Sequence, residues 1–287
     1  MFLKEFSGFL LFTSYATASC LHGTSHLLRR TTPDGRVAVS KFGYTESEGP
    51  LHWAGLSTNN SACAMGTTQS PINIDSSIPT AIYAPKVSIP SVQSAEFENL
   101  GSTVEVVVNG TATFNGTNYA LKQFHFHTPS EHRINEEYFP LEMHMVHQAT
   151  DNSSRIAVLT ALFQLSANGS TTDLITNVTK NLAEITTPGT VTETGPLDFT
   201  SLITKLTTTP LLQYTGSLTT PPCAEGVLFL IMRQPLPLNV ATYNALKSVI
   251  KFNSRYTQNK PGQQNLLVLA AEDVKNIKAL NGTRASK

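Results

Sequence analysis

The chain has 287 residues, of which 40% are hydrophobic and 14% charged, with a formal net charge of +0. That is apolar material for one large core or two modest ones, while the charged share falls below the roughly 25% usual in soluble proteins. With no excess of basic residues, nothing here would draw in nucleic acid or an anionic membrane, and neither is expected as a partner.

The N-terminus reads as an export signal. Lys4 precedes the apolar stretch FSGFLLFTSYATA, which closes on the small-residue pattern Ala16-Thr17-Ala18. The run is too short to span a bilayer. Residues 1–18 are therefore expected as a signal peptide, with cleavage as late as 20; the alternative is a hydrophobic tail. Residues 19–41 form a leader in which Arg29-Arg30 either ends a pro-segment or is a chance pair. Asn59, Asn109, Asn115, Asn152, Asn168, Asn177 and Asn281 each open an Asn-x-Ser/Thr triplet and are candidate glycosylation sites, although a chain rich in Ser and Thr yields several by chance. Residues 276–287 end polar, without the apolar tail of a lipid anchor. A secreted, extracellular protein with no membrane anchor is expected.

Cys20 falls at the margin of the signal, which leaves Cys63 and Cys223. An even number in an oxidising compartment points to a disulfide, the alternative being two separate buried thiols.

From residue 87 to 165, short runs bounded by Gly, Asn, Ser and Pro predict strands. They include TVEVVV at 103–108, QFHFH at 123–127 and RIAVLTALFQL at 155–165. DLITNVTKNLAEI at 173–185 spaces its apolar residues as a helix would, with Asp173 as candidate cap. VLFLIMR at 227–233 is continuously apolar and predicts a central, fully buried strand, and NVATYNALKSVIKF predicts a helix opening at Asn239. No repeat or linker divides the chain. The reading is a mainly β (α+β) single domain with a few peripheral short helices.

Chemistry concentrates at residues 122–147, where KQFHFHTPSEHR and LEMHMVH hold five of the eight histidines. In a strand, residues i and i+2 share a face, so His125 and His127 leave the backbone together, as do Glu142 and His144. A catalytic zinc site takes three protein ligands and keeps a fourth position for water, and His125, His127 and His144 on neighbouring strands supply that number. Gln123 and Glu142, each two residues before a histidine, are placed to accept the remaining ring N–H and fix the tautomer. The spacing His-x-His-x-x-x-Glu also opens the first cupin motif, with Glu131 as fourth ligand, but that reading needs a later ligand histidine and none follows His147.

QFHFHTPSEH, LEMHMVH and YTGSLTTPPC together closely resemble the α-class carbonic anhydrases, with weaker echoes in GPLHW, QSPINI and NSR. The resemblance covers residues 42–275. It implies a single domain on a large twisted, mostly antiparallel β-sheet, a zinc ion in a cone-shaped cleft, and reversible hydration of carbon dioxide to bicarbonate. His125, His127 and His144 match the zinc ligands. Thr219 matches the threonine that accepts from zinc-bound hydroxide, and Glu131 the glutamate that accepts from that threonine. Thr220, Val146, Val158, Leu218 and Val227 match the substrate pocket, with Phe229 where the family usually has tryptophan. Tyr214 joins the hydrogen-bond network, His132 and His147 match buried structural histidines, and Cys63–Cys223 matches the disulfide of secreted members. Tyr256 replaces a usual proline. Ser102 stands at the position of the proton-relaying histidine, which leaves proton export to buffer or to a carboxylate such as Glu105. Two other functions compete: a catalytically silent carbonic-anhydrase-like binding module, whose mark is loss of a zinc histidine, and a zinc esterase side activity.

Overall fold

The computed structural model describes residues 35–151 and 153–284, the side chains of 279–284 apart. The expected signal peptide, Cys20, Arg29-Arg30 and Asn152 lie outside the described residues, as does the side chain of Asn281.

Among the described residues two short helices, α1 (Trp53–Leu56) and α2 (Ala62–Met65), precede twelve strands: β1 (Asn73–Ile74), β2 (Lys86–Ser88), β3 (Glu96–Asn99), β4 (Val104–Phe114), β5 (Thr117–His127), β6 (Arg133–Ile134), β7 (Leu141–Ala149), β8 (Ile156–Leu165), β9 (Val191–Glu193), β10 (Leu211–Ser217), β11 (Glu225–Met232) and β12 (Leu236–Leu238). Ten of them form one mixed sheet in the order β10-β11-β8-β7-β5-β4-β3-β9, with β2 beside β4 and β12 beside β8. Most pairings are antiparallel; β8 pairs in parallel with both β11 and β12. The apolar run at 227–233 is thus an interior strand, one in from the edge strand β10. β4 and β5 turn back through Asn115 and Gly116, both at positive φ (45° and 79°). That turn favours an Asn-Gly pair because its backbone twist matches the strands it joins.

Alternation along the strands divides the two faces. Phe124, Phe126, Met143, Met145 and Leu159 point into the main core, where they meet buried residues of three helices: α3 (Asp173–Val178), α4 (Thr200–Thr208) and α5 (Val240–Ile250). Burial of each large side chain contributes about 1.5–3 kcal/mol. The out-of-phase residues face the other way, where a smaller cluster of Val158, Leu162, Tyr214, Leu218, Val227 and Phe229 adjoins the histidines. A longer helix, α6, covers Leu266–Arg284.

Two helix boundaries test the capping argument. Asn239 caps α5, its side chain accepting from Thr242 N at 2.8 Å. Asp173, however, is not the cap of α3. Thr172 is extended and accepts from Ile175 N, so Asp173 lies in the first turn, where its charge suits the helix dipole. The helix predicted to reach residue 185 ends at Val178 and continues as a 3-10 turn over Thr179–Ile185, broken by non-helical Asn181.

Cys63 and Cys223 form a disulfide, so the alternative of two free thiols is not realised. The bridge lies against buried Trp53 and joins Ala62–Met65 to the loop that follows β10.

Candidate active site

Strand register sets the site. His125 on β5 lies directly opposite His144 on β7, and His127 lies opposite Glu142. The same row continues to Thr160 on β8 and, on the other flank, to Glu105 on β4 and Glu98 on β3, all of them buried. The three imidazoles converge with ring centroids 4.7–5.4 Å apart, and one nitrogen from each lies within 4.8 Å of the others.

The outward nitrogens are committed elsewhere. His125 Nδ1 donates to Gln123 Oε1 at 2.9 Å and His127 Nδ1 to the carbonyl of Asn253 at 2.9 Å. His144 Nε2 donates to Glu142 Oε1 at 2.6 Å. Nε2 of His125 and His127 and Nδ1 of His144 are therefore the atoms that could ligate a cation.

Glu142 anchors this arrangement. Its Oε2 accepts from the amides of Glu131 and His132 at 2.7 and 2.8 Å, and its Oε1 from His132 Nδ1 and His144 Nε2 at 2.6 Å. Burial acts to raise its pKa, yet electrostatic attraction to His132 and His144 and the hydrogen bonds they donate hold it well below the ordinary carboxylate range. An ionised Glu142 makes both imidazoles donors toward it. His132 Nε2 is then the acceptor for the Tyr214 hydroxyl at 2.6 Å, and Ser70 Oγ, 2.7 Å from that hydroxyl, donates to Tyr214 in turn. One chain of hydrogen bonds thus fixes the tautomer of His144.

Glu131 is fully buried, and its Oε1 accepts from Arg255 N at 2.9 Å. Its Oε2 lies 3.4 Å from His127 Nε2 and 4.0 Å from His144 Nδ1. Burial first, and the Glu142 charge second, push its pKa well above the usual range, while the Arg255 amide and the Thr219 hydroxyl pull it back. A cation held among the imidazoles would pull the same way.

Gln123, His125, His144, Val146, Val158, Leu218, Thr219, Thr220, Val227 and Phe229 line one cavity. All six positions expected to touch substrate are among them. Phe229 stacks flat on Tyr214 at 5.1 Å and meets His132 edge-on at 5.1 Å. His132 and His147 stay off the cavity. His147 Nδ1 donates to Met145 O at 2.9 Å, and burial lowers its pKa to about 4. Ser102 is 3% exposed and its hydroxyl lies 2.7 Å from Ser40 Oγ, so the segment at Ser40 covers that position.

Four residues of this neighbourhood escape sequence reasoning. Asn253 serves His127 through its backbone carbonyl, which leaves no side-chain signature. Ser70 and Arg255 belong to QSPINI and NSR, which read only as echoes. Tyr44 has a buried hydroxyl with no hydrogen-bond partner among the described residues, and burial, then the Glu131 charge, raise its pKa.

The donor set suits a tetrahedral cation that prefers nitrogen ligands and keeps one position open, for which zinc is the common choice. The eukaryotic-type carbonic anhydrase family model matches residues 48–269. A carbonic anhydrase of Neisseria gonorrhoeae is 37% identical over 196 residues, covering 67% of this chain and 73% of the relative. Among solved structures, the fungal alpha carbonic anhydrase of Aspergillus oryzae shares 47% identity with a TM-score of 0.78, over 81% of this chain and 99% of its own. The alpha-carbonic anhydrase of Thermovibrio ammonificans, in complex with the inhibitor sulfanilamide, shares 32% identity with a TM-score of 0.69, over 79% and 98%.

Proposed function

The chain belongs to the eukaryotic-type carbonic anhydrase family, and on that premise we propose that it carries out the family's reaction, reversible hydration of carbon dioxide to bicarbonate, with zinc held by His125, His127 and His144. The observation that carries the metal assignment is the trio of converging imidazoles whose outward nitrogens are all held by acceptors. When bound, zinc supplies a Lewis acid that makes hydroxide available near neutral pH, a property for which carbonic anhydrase is itself the standard example.

The protein's own groups orient the attack. Thr219, with its proton committed to Glu131, can only accept from the attacking hydroxide, which directs an oxygen lone pair at carbon. Carbon dioxide is apolar and waits against Val146, Val158, Leu218, Val227 and Phe229, with Thr220 also lining the cavity. Ser102 offers no titrating group, so protons leave through buffer. Residues 42–275 form the catalytic domain in this reading, behind a signal and leader and ahead of a polar tail.

Export fits the rest of the molecule. The disulfide suits an oxidising compartment, and among the described residues no helix is long and apolar enough to cross a membrane. Asn59, Asn109, Asn115 and Asn168 are exposed and open to glycan transfer, whereas Asn177 is half-buried within α3.

Metal analysis and stopped-flow carbon dioxide hydration on purified protein test the assignment. Wild type should carry one zinc per chain. His125→Ala, His127→Ala and His144→Ala should lose both zinc and turnover, while Thr219→Ala keeps zinc and loses most of the rate. A histidine variant with stoichiometric zinc and normal turnover removes that residue from the ligand set. Wild-type rates in Thr219→Ala would contradict its orienting role.

A further inference from the structure

Residues 36–40 run as a strap along the connection between β3 and β4 and the segment that precedes β9. Arg36 donates from its guanidinium to Pro188 O at 2.8 Å, Val37 N to Gly189 O at 3.0 Å and Ser40 N to Leu100 O at 2.9 Å. Val39 packs so closely that a Cβ built on Gly101, whose φ is +78°, would lie 2.8 Å from Val39 Cγ1. The strap ends in the Ser40–Ser102 hydroxyl pair, 2.7 Å apart.

From Ser102 a hydrogen-bonded path leads to the site. Asn253 Nδ2 donates to Ser102 O at 3.0 Å, and the Asn253 carbonyl accepts from His127 Nδ1 at 2.9 Å. The other bonds of the Asn253 side chain go to Phe126 O at 2.9 Å and Thr128 N at 2.7 Å, residues that flank His127 itself. Those two tie Asn253 to the segment it is meant to orient. Only the bond to Ser102 ties that side chain to a separate element, and Ser40 holds that element from outside.

We infer that Ser40 and Ser102 are positioning residues for His127, acting through Asn253. The inference rests on reading His127 as a metal ligand. A group bonded directly to a ligating histidine changes metal affinity by about 10–100-fold, and one a further step removed should act more weakly, by about three- to tenfold.

The test measures release of zinc from the zinc-loaded full protein to dipicolinate, together with the melting temperature. Ser40→Ala and Ser102→Ala should each release zinc about three- to tenfold faster, and the double variant no faster than either single, because one hydrogen bond is lost in all three. Ser102→Thr, which keeps a hydroxyl, should restore the slow rate. Val37→Ala loosens the strap without touching the pair and should lower the melting temperature while zinc release stays at the wild-type rate. Wild-type release from both serine variants would overturn the inference, as would acceleration in Val37→Ala equal to theirs at the same loss of melting temperature. A wild type that binds no zinc overturns the metal assignment and this inference together.

Discussion

Glu142→Gln tests whether the tautomer of His144 is set by a fully occupied carboxylate. Glu142 accepts four hydrogen bonds, two at each oxygen, between 2.6 and 2.8 Å. Glutamine keeps one accepting oxygen and turns an NH₂ toward the other two donors. Either orientation leaves two donors without an acceptor. At roughly 1.5–3 kcal/mol for each hydrogen bond to a charged group, the loss is about 3–6 kcal/mol. A protein of this size shifts by about 2–4 °C per kcal/mol, so the melting temperature should fall by at least about 6 °C. Where the imidazoles are the orphaned pair, His144 no longer has its Nε2 proton held, and zinc affinity should fall by about 10–100-fold. Calorimetry and competition with dipicolinate measure the two effects separately. A variant melting within about 2 °C of wild type, with zinc affinity within about threefold, would refute the reasoning.

Acid should weaken the protein through His147, whose buried ring has a pKa of about 4 in place of 6.5. The folded state binds this proton less readily than the unfolded chain, so stability is full above about pH 6.5 and declines as pH falls toward 4, by on the order of 3 kcal/mol. His147→Gln should flatten the slope of stability against pH in that window by one proton, and an unchanged slope would exclude His147 as the cause. Replacing Cys63 and Cys223 by serine opens a link across 160 residues, for which loop-closure entropy gives about 5 kcal/mol as an upper figure. A denaturant titration showing a loss under about 1 kcal/mol would mean that the bridge adds little. Lys251 holds φ 61° and ψ −137°, a conformation natural to glycine and strained for lysine. Lys251→Gly should stabilise by about 1 kcal/mol once the flexibility of glycine in the unfolded chain is set against the relieved strain, and a lower melting temperature would show that the lysine is not strained.

What the sequence disclosed and what it withheld follow from how each group acts. His125, His127 and His144 are legible because period-two alternation and side-chain chemistry coincide on β5 and β7, whereas β8 and β11 are legible because near-continuous apolar runs mark strands buried on both faces. The parallel pairing of β8 with β11 is not legible, since register between residues 157 and 228 depends on tertiary packing. Asn253 is hidden because any residue offers a carbonyl. Asp173 in place of Thr172 is an error of one position between two residue types that both cap well, decided by which backbone is extended. Ser102 shows only what fails to titrate there; the burial beneath Ser40 depends on a segment 62 residues earlier.

The distance along the chain between His127 and Asn253 has a consequence for biosynthesis. The carbonyl that orients His127 lies 126 positions downstream of it. At about 5–20 residues per second, a ribosome that has finished His144 still needs several seconds or more to reach Asn253. All three proposed ligand rings therefore exist in the nascent chain before the group that locks one of them. On that ligand set, zinc offered during synthesis would meet an unclamped trio, and tight retention would wait for the last third of the protein to arrive.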